Sequence, residues 1–234
     1  MSRDWLIRVH GVASIDEATW LEALGVDLIS VVVGEPSQGR IVSRELARRI
    51  AGHLTRARLC VEASADLDLA PEEAHRMGAA FVEVPWGPEV PRAWREALVR
   101  FGLGWALVRV PADEDDDPSW VQSRIEEAGA PEPAWAEIEV CPNLEDGWSV
   151  IREPNESELD AADLDELARS HAILYAPAAR PDNVRAIRDA LAHAKGVSFT
   201  LSDGDDGVAG AHRYSKEGLQ AVLEQLLGDP SRGR

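Results

Sequence analysis

The sequence predicts a single-domain (β/α)8 barrel, and three observations predict it. Eight short apolar runs alternate with eight helical patterns along the chain. A length of 234 residues, 45% of them hydrophobic, suits one barrel with a substantial core. Ionisable side chains also recur toward one end of several runs that are otherwise apolar, and a parallel strand buried on both faces has no ordinary use for them.

The elements follow in order. LIRVHGV (6–12) alternates, so Ile7 and Val9 share one face while Arg8 and His10 share the other. SIDEATWLEALG (14–25) reads as the first helix, capped by Ser14 and stopped by Gly25. DLISVVV (27–33) precedes SRELARRIAGHL (43–54), with Ser43 as its cap, and ARLCVEA (57–63) precedes PEEAHRMG (71–78). AAFVEVPW (79–86) leads into PRAWREALVRFG (91–102), ended by Gly102, and WALVRVP (105–111) into SWVQSRIEEAG (119–129). AWAEIEV (134–140) and ELDAADLDELARS (158–170) form the sixth unit, HAILYAP (171–177) and PDNVRAIRDALAHAK (181–195) the seventh. GVSFTL (196–201) and SKEGLQAVLEQLLG (215–228) complete the eighth. Residues 1–228 are assigned to the barrel and 229–234 to a short C-terminal tail. An open doubly wound sheet binding a dinucleotide would carry a Gly-rich turn after its first strand, and GVASIDEA has none.

Composition excludes several functions. A formal charge of −18 repels phosphate backbones and anionic membrane surfaces, so neither nucleic acid nor membrane is expected as a partner. No apolar run approaches a membrane span, and MSRDWLIRVHG lacks the apolar stretch of a signal peptide, which points to the cytoplasm. Cys60 and Cys141 lie far apart without CxxC spacing, so neither a disulfide framework nor a structural zinc site is indicated. The oligomeric state stays open.

In a barrel, functional groups sit at the C-terminal ends of the strands. His10 ends the first strand, with Arg8 beneath it; Glu62, Glu83, Arg109, Glu137 and Glu139 occupy the third to sixth. A buried ion-pair network in the barrel centre would also account for such residues. DEDDD (113–117) reads as a solvated acidic loop, and Trp86 and Trp148 either cover the mouth or stack a ligand.

In order and spacing the chain resembles the phosphoribosylanthranilate isomerases of tryptophan biosynthesis. Their K-I-C-G start is met by IRVHG, their S-P-R-x-V-S by QGRIVS (38–43), their G-G-L-x-P-E-N-V by PAARPDNV (177–184), and their V-D-V-S-S-G loosely by VSFTLSDG (197–204). The resemblance implies that His10 takes the place of the family's Cys general base and Glu139 that of its Asp general acid. Arg40 matches the Arg that contacts the substrate carboxylate. Arg8, Glu83, Arg109, Arg180 and Asp203 are further candidates for substrate binding. Neither cofactor nor metal is implied, and the partner is a small, carboxylate-bearing molecule.

The family's phosphate site departs from its pattern. Pro177-Ala178-Ala179 replaces Gly-Gly-Leu, and Pro177 has no N–H to donate. Asp203, Asp205 and Asp206 follow the last strand, the sixth loop shortens to CPNLEDG (141–147), and Ser198 replaces an Asp. With the acidic loop 113–117 at the rim, these departures point to a cationic or unphosphorylated substrate, or to a divalent metal, in a recruited role such as secondary metabolism. A non-catalytic binding barrel, or a metal-assisted lyase or hydrolase using His10 with Glu62, Glu83 or Glu139, are the alternatives.

Overall fold

A computed structural model describes residues 5–34, 40–63, 68–87, 89–129, 132–153, 158–203 and 212–228. Asp205, Asp206 and the expected tail lie outside the described residues. Eight parallel strands close into a barrel: β1 (Leu6–His10), β2 (Leu28–Val33), β4 (Arg58–Glu62), β5 (Phe81–Pro85), β6 (Gly104–Ala112), β7 (Ala136–Val140), β8 (Ile173–Ala176) and β9 (Gly196–Leu201). The seam between β9 and β1 runs from Leu6 opposite Gly196 to His10 opposite Thr200. Glycine is required there, because a Cβ on Gly196 would stand 1.9 Å from the Leu6 carbonyl oxygen.

The helices α1 (Ile15–Leu24), α2 (Arg44–His53), α3 (Pro71–Arg76), α4 (Arg92–Arg100), α5 (Pro118–Glu126), α7 (Ala161–Ser170), α8 (Val184–Ala190) and α9 (Lys216–Leu227) surround the barrel. Ser14 and Ser43 each accept the backbone N–H three residues on, capping α1 and α2, and Gly25 closes α1 at φ 95°. The helix expected over 181–195 shortens to Val184–Ala190, because the side chain of Asn183 accepts the Arg180 N–H and holds 180–183 as a turn. Three short elements were not anticipated: β3 (Ile41–Val42) beside β2, β10 (Arg213–Tyr214) beside β9, and α6 (Gly147–Ile151).

The strand residues divide by parity. Outward side chains such as Ile7, Val9, Ile29, Val61, Val82 and Ile138 pack under the helices in the large core. Inward side chains form layers. Leu28, Cys60, Ala106, Val108, Trp135 and Leu174, with Leu6 and Phe81, fill the barrel with a separate apolar cluster. Above the lower part of this cluster the next inward residues are polar: Arg8, Ser30, Glu83, Glu137 and Ser198, all buried. Nearer the C-terminal mouth come His10, Glu62, Glu139 and Thr200.

Candidate active site

Arg8 is the centre of the polar layer. Its Nε donates to Glu83 Oε1 at 2.7 Å and one terminal nitrogen to Glu83 Oε2 at 2.5 Å; the other reaches Glu137 and, at 2.7 Å, Ser198 Oγ. Ser30 and Ser198 then donate to Glu83 and Glu137. Arg8 is only 1% exposed and Glu83 is fully buried. Burial alone would drive the guanidinium to lose its proton, but the two carboxylates outweigh that and fix the charge more firmly than usual. The network closes the floor of the site, and Glu83 does not reach the cavity above it.

That cavity, of about 280 Å³, is lined by Arg8, His10, Glu62, Arg109, Glu137, Glu139, Pro142, Thr200, His212 and Arg213. Its size lies at the small end of ligand sites. His10 Nε2 lies 2.8 Å from Glu62 Oε2, an ion-pair distance, although the two are not aligned as a hydrogen bond. Arg109 grips both oxygens of Glu62, at 2.7 and 3.1 Å. Burial pushes the Glu62 carboxyl up, and His10 and Arg109 more than reverse it, holding its pKa down to about 2. Glu139 moves the other way. Burial and the neighbouring Glu137 charge raise it, against Arg109, His10 and Arg8.

Arg109 enters through an irregularity. Regular alternation from Ala106 and Val108 would send residue 109 outward, but the register between β6 and β7 shifts between Leu107 and Val110, and Arg109 has φ 59°. Cys141, just beyond β7, is the other non-glycine residue with positive φ among those described. Arg109, the partner of Glu62, lies within β6 and Cys141 directly follows β7, which carries Glu139, and backbone outliers of this kind cluster at functional sites.

Several expected site residues are placed elsewhere. Arg40 is tied to the Gly11 carbonyl, Glu17 and Asp203, so both Arg40 and Asp203 are engaged in a clasp beside the mouth. Arg180 bonds Asp146 at 2.8 Å and lines a different cavity, next to Trp148. Trp148 is buried in α6, and Trp86 sits over the Arg124 guanidinium instead of the cavity. The acidic run is partly structural: Asp116 is buried against Arg124, and Asp117 caps α5. Glu62 and Glu137, singled out from the sequence as strand-end groups but given no role in the leading reading, line the cavity, and Thr200, His212 and Arg213 join it without having been singled out. Inward parity is the signal for Thr200; nothing local marks His212.

His10, Glu62 and Glu83 each offer one atom within 4.8 Å of the others, a spacing open to a metal ion. The donor set does not fit one well. Both Glu83 oxygens are held by Arg8 and both Glu62 oxygens by Arg109, so a cation would share each carboxylate with a guanidinium whose positive charge opposes it.

No protein-family model matches the chain, and no curated protein matches its sequence. Solved structures match its fold. The phosphoribosyl anthranilate isomerase from Thermococcus kodakaraensis aligns with a TM-score of 0.66 at 19% identity, covering 96% of this chain and 99% of that one. The enzyme of that name from Thermus thermophilus gives 0.62 at 19%, covering 95% and 98%. A truncated 3-deoxy-D-arabino-heptulosonate 7-phosphate synthase from Thermotoga maritima gives 0.58 at 13%, covering 95% and 85%. At these identities the likeness is one of fold, and two different activities share it.

Proposed function

We propose that this protein is a diverged relative of the phosphoribosylanthranilate isomerases that carries out acid–base proton transfer on a small, unphosphorylated, carboxylate-bearing substrate. The observation that carries this reading is the separation of two carboxyl groups in one cavity, Glu62 held ionised and Glu139 pushed toward its protonated form. Opposed environments of that kind assign acid and base roles. Glu139 is the general acid. His10 is the general base: Glu62 lies on the Nε2 side of the ring, which leaves Nδ1 as the proton acceptor. Arg109 keeps Glu62 charged and in place, while Arg8 supports the layer below. Arg213 supplies positive charge at the wall for a substrate carboxylate.

Deuterium wash-in from D2O, followed by proton NMR over a set of small α-hydroxy- and α-aminocarbonyl carboxylates, tests the reading. The protein should exchange at least one of them, and His10→Ala and Glu139→Gln should each lose the exchange while remaining folded. Exchange by none, or equal exchange by the variants, would overturn it.

A further inference from the structure

The side chains of the cavity wall divide into those already held within the protein and those left for a ligand. Arg8 holds Glu137, and Arg109 holds Glu62. Thr200, partly buried, makes no side-chain hydrogen bond among the described residues, and its hydroxyl is not shut off from the cavity it lines. The acid–base assignment gives it no task. Its place is set by the sheet: in parallel register Thr200 stands opposite His10 on β1 and opposite Arg213 on β10, and all three line the cavity. Neighbouring strands lie about 4.8 Å apart, so the three form a short row. A ligand lying along it meets the base at one end, a hydroxyl donor in the middle and positive charge at the other end. An acidic C–H, a carbonyl oxygen and a carboxylate, in that order, complement the row.

We infer that the Thr200 hydroxyl is a further catalytic group, which donates to a substrate carbonyl oxygen between His10 and Arg213, and that the site therefore takes 2-oxo carboxylates with a hydrogen on C3. The inference rests on the reading of this cavity as a proton-transfer site. In the step, the C3–H bond breaks and its proton passes to His10 Nδ1. The bonding pair becomes the C2–C3 double bond, and a carbonyl pair moves onto the oxygen, which takes the Glu139 proton. The products are a neutral enol, an imidazolium beside Glu62 and an ionised Glu139. Thr200 donates most strongly while charge builds on that oxygen, so its hydroxyl favours the transition state over the bound ketone.

Hydroxypyruvate and 5-hydroxy-4-oxopentanoate are the probes; both are hydroxyketones, and in the second an ethylene spacer sets the carboxylate apart from the carbonyl. Deuterium wash-in at the hydroxymethyl carbon, corrected for the uncatalysed rate, should run about tenfold faster or more on hydroxypyruvate. Thr200→Val, which keeps the branched shape without the hydroxyl, should lower kcat for that exchange by about tenfold or more with little change in KM, and Thr200→Ser should restore most of it. Arg213→Gln should raise KM. Equal exchange of the two probes, a Thr200→Val protein that exchanges like the parent or differs in KM alone, or an unchanged KM in Arg213→Gln would each overturn the inference. If the parent exchanges neither probe but does exchange another α-hydroxy- or α-aminocarbonyl carboxylate, the inference falls while the proton-transfer reading stands; if it exchanges none, both fall. The preference between probes is read in the unmodified protein, so a poorly folding variant does not remove the test.

Discussion

Arg109 and Glu62 meet across the intervening strand β5, two nitrogens of one guanidinium on the two oxygens of one carboxylate. The contact exists because β6 loses its regular register and Arg109 adopts a left-handed backbone, which turns inward a side chain that alternation would send under the helices. A charge pair is thereby placed where it fixes the third member, His10.

Removing that guanidinium should show first in acid. The Glu62 pKa lies below its ordinary carboxylate value, at about 2, so its contribution to stability is complete above pH ~4.5 and disappears as pH falls toward 2. In Arg109→Gln burial meets less opposition, the Glu62 pKa rises, and the acid loss begins at higher pH. Melting temperatures of both proteins between pH 2 and 6 check this; curves that stay parallel would show that Arg109 does not govern the Glu62 charge.

Glu139 should act with the opposite sign. Its folded pKa is raised by burial and by Glu137, so the folded state favours the bound proton. The stabilisation it gives is complete below its unfolded value and is lost as pH rises through its folded value. Glu139→Gln, neutral at every pH, should therefore gain melting temperature relative to the parent as pH rises from about 4 to 8. A difference independent of pH across that window contradicts the raised carboxyl.

The Arg8 layer should behave as a unit. Arg8→Met leaves Glu83 and Glu137 buried without their cation, and breaking such a pair from one side costs about 3–5 kcal/mol. Adding Glu83→Gln and Glu137→Gln to Arg8→Met removes the stranded charges and should restore most of the loss. Denaturant unfolding of the single and triple variants measures it, and a triple variant as unstable as the single would mean that shape, not charge, sets the penalty.

Much of the barrel was legible because periods of 2 and 3.6 are local, and eight of each in alternation leave few architectures. Parity also carried the layers: once Arg8 faces inward, so does His10. The partners were not local. Arg8 meets Glu83 and Glu137 at sequence separations of 75 and 129, set by closure of the sheet. The family likeness pointed to Arg40 as a carboxylate anchor, yet its three functional nitrogen positions are engaged by Gly11, Glu17 and Asp203, an arrangement no strand pattern encodes. β3 and β10 have two residues each, too few for a period, and the bulge that admits Arg109 has no glycine to announce it.

Phosphate recognition after β8 should be absent. Pro177 lacks an N–H, the Ala179 N–H closes on the Pro177 carbonyl at 2.7 Å, and the Arg180 N–H is taken by Asn183 Oδ1 at 2.6 Å. The Arg180 side chain is held by Asp146, and Tyr214 caps the carbonyls of Pro177 and Ala179. A turn with no N–H at Pro177 and with those of Ala179 and Arg180 spent internally lacks the run of donors that cradles an anion. The protein should therefore fail to complement a tryptophan auxotroph lacking phosphoribosylanthranilate isomerase at ordinary expression, and growth would refute the loss of the phosphate site.

His10 offers the sharpest division between a working group and a structural one. Its ring is mostly buried at the strand end and touches Glu62, but Glu62 keeps both contacts to Arg109 when the imidazole is removed. His10→Ala leaves Glu62 paired with Arg109, unlike Arg8→Met, and its effect on stability should fall well short of the ~3–5 kcal/mol expected there. Loss of a general base lowers turnover by about 10²–10⁴-fold. On a substrate found by the wash-in experiment, the variant should thus melt close to the parent and turn over at least a hundredfold more slowly. If His10 serves only the ion-pair network, the pattern reverses, with a lower melting temperature and full activity in the folded fraction. Measuring both on one preparation separates the cases, because a mere loss of folded protein lowers activity in proportion to the unfolded fraction, whereas a missing base lowers the rate of every folded molecule.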